Sequence, residues 1–439
     1  MTPNMTPDKA LLREIFLTAL RAVDVRATVT RHINFNPTNL TIGPHTCPLA
    51  DIDQITLLAM GKAATPMLEA ALQALHPTNI PTDAILIAPS PPSTLRAGTT
   101  YYLGPHPITN EHSLNAASAV LNRLRAVTPR TLVLFLLSGG ASAMLEQPLD
   151  PTITNTELAD FYRILVASGL PIAQMNVLRK HLSAVKGGRL AFEAAAAYAQ
   201  VTLIVSDVPT FTPDTVASGP SLPDPSTTAD CRHILARLPP NTLPASINRF
   251  LTSPTLPDTP KPIHPAFVRT HWKQILSTHD LTQAAIEAAT QAGLHPVIDN
   301  TCDDWDYHRA ALHLLNRAAH LPKRSILIST GEVSVTLGSS PGIGGRNAQF
   351  ALFCAAQLNQ SRHPITVLSA GTDGIDGNSP ATGALADRQT YVRAHAQNLN
   401  PEIALTDFNA YPLFATLGDA IQTGPTGNNL RDLRLLLHQ

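Results

Sequence analysis

TLVLFLLSGG (131–140) decides the architecture. Leu132 to Leu137 are apolar without alternation, so the strand they form is expected to be buried on both faces. Ser138-Gly139-Gly140 then breaks the run and opens into helix-compatible residues. Five more runs share this character: QITLLAMGKAA (54–64), DAILIAP (83–89), VTLIVSDV (201–208), SILISTGE (325–332) and PITVLSAGTDG (364–374). Most end in a cluster of glycine, hydroxyl, lysine or acidic residues. Helical stretches are expected between them. One starts near Asp8 after Thr6-Pro7, with proline in the first turn. Another opens on the capping box Thr154-x-x-Glu157 and stops at Gly169. The rest span about 113–126, 179–198, 280–292, 307–320 and 346–358. Strands alternating with helices predict an α/β fold around a parallel or mixed sheet. Such sheets bind ligands at the carboxyl ends of their strands, where the polar clusters fall.

Working outward, 439 residues point to two domains, or three. The stretch 238–265, LPPNTLPASINRFLTSPTLPDTPKPIHP, is proline-rich and polar and reads as the linker. Charged residues are 14% of the chain and the net charge is −1, so no basic field exists to hold nucleic acid or an anionic membrane. No apolar run is long enough to span a bilayer. The opening MTPNMTPDKALLREIF has no basic segment before an apolar core, so no signal peptide is expected. Cys47, Cys231, Cys302 and Cys354 lie far apart, which excludes a C-x-x-C pair and suits a reducing cytoplasm. Asp303, Asp304, Asp306 and His308 form the most metal-like group, with a helix-capping loop as the simpler reading.

Several standard signatures are missing. No G-x-x-x-x-G-K-[ST], no G-x-G-x-x-G after a strand and no G-x-S-x-G elbow occurs. What remains is a set of polar corners. Ser138-Gly139-Gly140-Ala141-Ser142 offers backbone N–H groups to an anion. In the motif that runs from Asn176 through Lys186-Gly187, Arg179, Ser183 and Lys186 would share a basic helical face. Asp207 ends a strand and could take a proton or hold a metal. Gly345-Arg346-Asn347 joins close backbone approach to a guanidinium fork suited to phosphate. Asp373 and Thr426 belong to two further loops, TDGIDG (372–377) and TGPTGNN (423–429). Each corner alone is explained as well by a turn or a cap. Together they suggest a phosphorylated ligand and Mg²⁺, which is equipment for phosphoryl transfer without a P-loop.

LSGGASAML, NVLRKHLSAVKGGRLA, the SDV and VASGPSLPD pair, GGRNAQFAL, SAGTDGIDG and TGPTGNNLRDL together resemble the glycerate 2-kinase family with a C-terminal MOFRL domain. Some members of that family carry a hydroxypyruvate reductase label. The resemblance covers residues 10–437 in the family's motif order. It implies a Rossmann-like N-terminal domain (8–240), a smaller C-terminal α/β MOFRL-type domain (262–437), and an active site in a cleft between them. It implies ATP and Mg²⁺ as cofactors, D-glycerate as substrate and 2-phosphoglycerate as product, and admits a homodimer. Lys62, Asp207 and Arg346 match its catalytic positions. The resemblance would have Lys62 and Arg346 neutralise phosphoryl charge. Asp207 would orient the hydroxyl, accept its proton or position Mg²⁺. Ser138, Gly139, Gly140, Ser142, Asn176, Arg179, Lys186 and Gly187 would bind anionic groups, with Gly345, Asn347, Asp373 and Thr426 lining the cleft from the second domain. The chain departs from the family at 209–212, where Pro-Thr-Phe-Thr replaces an acidic stretch, and at Ala348 and Asn428. The other readings are an oxidoreductase and a non-catalytic metabolite-binding member.

Overall fold

The computed structural model describes residues 5–208, 213–338 and 342–439. The departure at 209–212 lies outside them. The chain divides into two compact units, Val25–Ile275 and Met1–Asp24 with Leu276–Gln439.

In the first unit all four expected runs are strands. β1 (Gln54–Met60), β2 (Thr82–Ala88), β3 (Thr99–Leu103), β4 (Thr131–Ser138), β5 (Ala199–Ser206) and β6 (Thr270–Ser277) form one sheet in the order β3-β2-β1-β4-β5-β6. The first five pair in parallel. This is the doubly wound order, and it reverses between β1 and β4, the place where such sheets bind ligands. Every residue of β4 and β5 is buried, as the unbroken apolar runs require. A small antiparallel meander (Ile33–Phe35, Asn39–Ile42, His45–Pro48) precedes the sheet.

The second unit is a mixed sheet of β7 (His295–Ile298), β8 (Ser325–Gly331), β9 (Ile365–Gly371), β10 (Gly383–Ala386), β11 (Ala420–Ile421) and β12 (Asp432–His438), in the order β7-β8-β12-β9-β10-β11. β12 runs antiparallel to both neighbours, pairing Asp432 with Gly331 and with Gly371. Its first residue therefore sits between the carboxyl ends of β8 and β9.

The structure corrects three expectations. The proline-rich stretch 238–265 is not the linker. Its helix Ala245–Thr252 turns Ile247 and Leu251 into a cluster with Leu158, Phe161 and Leu178, and Leu243 and Leu256 pin its flanks. The chain continues into β6, so the first unit runs to Ile275. The helix Pro7–Ala22 belongs to the second unit instead. Fully buried Lys9 ties it there, to Asp419 at 2.8 Å and Asp387 at 3.2 Å. Thr6 caps this helix and proline opens it, as expected. Third, no helix spans 179–198. One helix covers Ile172–Leu182, where Ser183 turns extended and ends it, and another covers Arg189–Glu193, entered through Gly187 and Gly188 with φ of 58° and 83°. Among the described residues, no helix is long and apolar enough to cross a membrane.

Candidate active site

At the reversal point the turns after β1 and β4 interlock. The Lys62 N–H donates to the Gly139 carbonyl at 2.9 Å, and the Ala63 N–H to Ser138 Oγ at 3.0 Å. Gly61 has φ 117°, and a Cβ there would sit 2.3 Å from Ser138 Oγ, so no side chain fits. This close crossing explains a glycine before Lys62 better than any phosphate requirement does. The Lys62 side chain is exposed and passes over Gly140, where a Cβ would lie 3.3 Å from its Cγ. Asp207 is half-buried just beyond β5.

A cavity of about 230 Å³ opens at these strand ends, lined by Gly139, Gly140, Ser142, Asn176, Arg179 and Asp207 among others. The structure thus brings six of the expected site residues together within one unit. His106 lines the same cavity and was missed. Burial, and then the nearby Lys62 cation, hold its imidazole pKa below the usual range. Arg179 is only 9% exposed. Its Nη1 donates to the neutral Asn176 amide oxygen at 3.3 Å, and its Nε is buried with no hydrogen-bond partner among the described residues. Ser218, another wall residue, hydrogen-bonds Ser142 at 2.9 Å and donates to Asn176 at 3.4 Å.

Lys186 does not share this face. The helix ends at Leu182, and Lys186 is buried in an ion pair with Glu146 at 2.6 Å. Burial lowers its pKa; Glu146 opposes that shift. Gly187 is buried behind the wall, its N–H bonded to the Ser218 carbonyl at 3.0 Å. Both residues brace the cavity rather than line it.

In the second unit Arg346 opens the helix Arg346–Asn359, with Gly345 as its N-cap. Its guanidinium is committed. Nε and Nη2 donate to Asp432 at 2.6 and 3.0 Å, and Nη2 lies 2.8 Å from Glu332. Burial works against the charged form, but Asp432 and then Glu332 hold its pKa above the ordinary range. Asn347 is buried, accepting from Ser369 at 2.6 Å. Asp376 caps this helix from a distant loop, accepting the Asn347 and Ala348 N–H groups at 2.9 and 2.8 Å. Burial pushes its pKa up to about 6. Asp373 and Thr426 do come together, through the Thr426 N–H on the Asp373 carbonyl at 3.1 Å. The metal-like group is taken up by other partners: Asp303 and Asp304 pair with Arg431 at 2.6 and 3.1 Å, and Asp306 caps the helix Tyr307–Ala319. Among the described residues no three metal-ligating side chains meet.

Comparisons agree with this architecture. A domain of unknown function, DUF4147, matches residues 11–252, and the MOFRL family matches 325–432. A D-glycerate 2-kinase of Thermotoga maritima is 32% identical over 88% of this chain and 91% of its own. An Agrobacterium vitis protein with a provisional hydroxypyruvate reductase name is 32% identical over 100% of this chain and 96% of its own. The crystal structure of glycerate kinase from Thermotoga maritima superposes with a TM-score of 0.81 at 29% identity, covering 98% of this chain and 99% of that one. Two matched domains in order, a relative above 30% identity along most of both chains, and a common fold lead to one conclusion: the chain belongs to the glycerate 2-kinase family of DUF4147–MOFRL proteins.

Proposed function

We propose that the protein transfers the γ-phosphoryl group of ATP to the C2 hydroxyl of D-glycerate, giving 2-phosphoglycerate and ADP, in the cytoplasm. One observation carries the reading: Arg179, a buried guanidinium, faces a cavity at the sheet's reversal point while bonded only to a neutral amide among its described partners. A small hydroxy acid brings the carboxylate such a fork is built to meet. Asp207, on the same cavity, orients the substrate hydroxyl and takes its proton. Lys62, at the neighbouring turn, neutralises charge on the transferred group. Arg346 holds the third family position, but its Nε and Nη2 donors already serve Asp432 and Glu332.

Mg²⁺ leans on one or two carboxylates and on the nucleotide's own phosphates. Asp207 as a single protein ligand fits that demand, and the ion would supply charge neutralisation between the phosphates. The four cysteines are free and buried, which suits a reducing compartment.

The reductase name of the Agrobacterium relative favours a second reading. Against it, the turn after β1 is Gly61-Lys62-Ala63, where a dinucleotide enzyme carries G-x-G-x-x-G. D-Glycerate-dependent release of ADP tests the proposal; NADH consumption with hydroxypyruvate would support the alternative.

A further inference from the structure

Behind the cavity wall lies a carboxylate that the sequence does not flag. Glu146 is 1% exposed. Its Oε1 accepts from Ser183 Oγ at 2.5 Å and from the Gln147 N–H at 2.9 Å. Its Oε2 accepts from Lys186 Nζ at 2.6 Å and from the Tyr162 hydroxyl. Four donors leave this carboxylate no freedom, so the Tyr162 hydroxyl has a fixed anchor. The other edge of Tyr162 is held in the apolar cluster with Phe161, Leu158 and Leu178. Tyr162 lines the cavity, and the Arg179 guanidinium carbon lies over its ring, 4.8 Å from the centroid.

That cation–π contact explains how a buried arginine is held without an acid beside it. A cation over a desolvated aromatic face is stabilised by the ring quadrupole, so the ring holds the Arg179 charge against its face. Had a carboxylate held Arg179, as Asp432 holds Arg346, its donors would be spent. Using a π-face leaves the guanidinium edge with one neutral partner, Asn176, which a ligand's carboxylate can outcompete. The charges also balance. Lys186 neutralises Glu146, so the Arg179 charge is left for the ligand.

We infer that Glu146 and Tyr162 are positioning residues for the ligand carboxylate: Glu146 fixes Tyr162, and Tyr162 aims the Arg179 guanidinium into the cavity. The inference rests on the proposed reading of that cavity. It adds a selectivity consequence, because a rigidly aimed fork discriminates a carboxylate from its neutral amide.

Three variants test it in the full-length protein. Tyr162→Leu removes the ring face. Tyr162→Phe keeps the face and cuts only the tether. Glu146→Met with Lys186→Met removes the anchor without leaving a buried charge unpaired. KM for D-glycerate is expected to rise about 10–100-fold in Tyr162→Leu and less in the other two, with kcat within about threefold and KM for ATP unchanged, as loss of uniform binding requires. The kcat/KM preference for D-glycerate over D-glyceramide should fall in parallel. Calorimetric titration of D-glycerate into each folded variant reads the same loss without turnover. If the wild type binds D-glycerate without phosphorylating it, the kinase reading fails and the titrations still decide the positioning role. Wild type that neither binds nor turns over D-glycerate overturns both. Normal wild-type kinetics with unshifted KM in Tyr162→Leu, or KM for ATP rising equally, overturns the inference alone.

Discussion

Lys62 and Arg346 looked alike in the sequence, each a cation in a glycine-rich turn, and the structure separates them. Lys62 is exposed, and what the interlocked turns require at this corner is the glycine before it. Lys62→Ala should therefore lower kcat by about 10²–10³, roughly 3–4 kcal/mol of lost electrostatic stabilisation, with the melting temperature unchanged. Steady-state kinetics with a thermal melt checks both halves. Arg346→Ala should instead destabilise the protein by about 2–3 kcal/mol. It removes the bidentate partner of the buried Asp432, and the cost is below that of a fully buried pair because the Arg346 side chain is 36% exposed and Arg434 stays nearby. A denaturant midpoint reads that loss. Turnover per folded molecule then decides the catalytic role: near-normal kcat would leave Arg346 a purely structural tie. Lys62, Asp207 and Arg179 were legible because each stands at a strand end or on the helix beside one. Asp432 and Glu146 were not, because their meaning lies in partners that only folding brings near. Asp432 meets Arg346 across 86 residues of chain, and Glu146 meets Lys186 across 40.

Among the elements, runs buried on both faces announced themselves, and all six expected strands are present. β12 escaped because DLRLLLH (432–438) carries two charged residues, although Asp432 and Arg434 are both buried in the folded unit. The edge strands β3 and β7 escaped for the opposite reason, being short and half open. Proline content misled at 238–265, where spaced leucines and an isoleucine outweigh the turn signals. The helix Arg346–Asn359 begins under a cap that no local pattern reveals, Asp376 from the loop after β9. With its carboxyl raised to about 6, native Asp376 keeps a proton that the unfolded chain releases near 3.8. Stability from this group is therefore full below pH ~4 and lost as pH rises through 6, by about 3 kcal/mol. Urea midpoints between pH 4 and 7 should fall in the wild type relative to Asp376→Asn. Parallel pH profiles for the two proteins would contradict the burial argument.

Across the whole molecule, chain order and unit boundaries disagree. The N-terminal helix packs in the unit built mostly from the chain's last third, and Lys9 is its buried pin. Lys9→Met should leave Asp419 to Arg393 alone, take the cation from Asp387, and cost about 3–5 kcal/mol. Hydrogen exchange should quicken in β10 and in Thr390–Ala396 while β4 stays protected; equal change in both units would contradict the division. The central claim is chemical, and one assay meets it most directly. The purified protein is incubated with Mg·ATP and D-glycerate, ADP is followed, and the phosphorylated product is identified by phosphorus NMR. The account predicts ADP release that requires D-glycerate and a phosphate on C2. No D-glycerate-dependent ADP, together with oxidation of NADH by hydroxypyruvate, would contradict it.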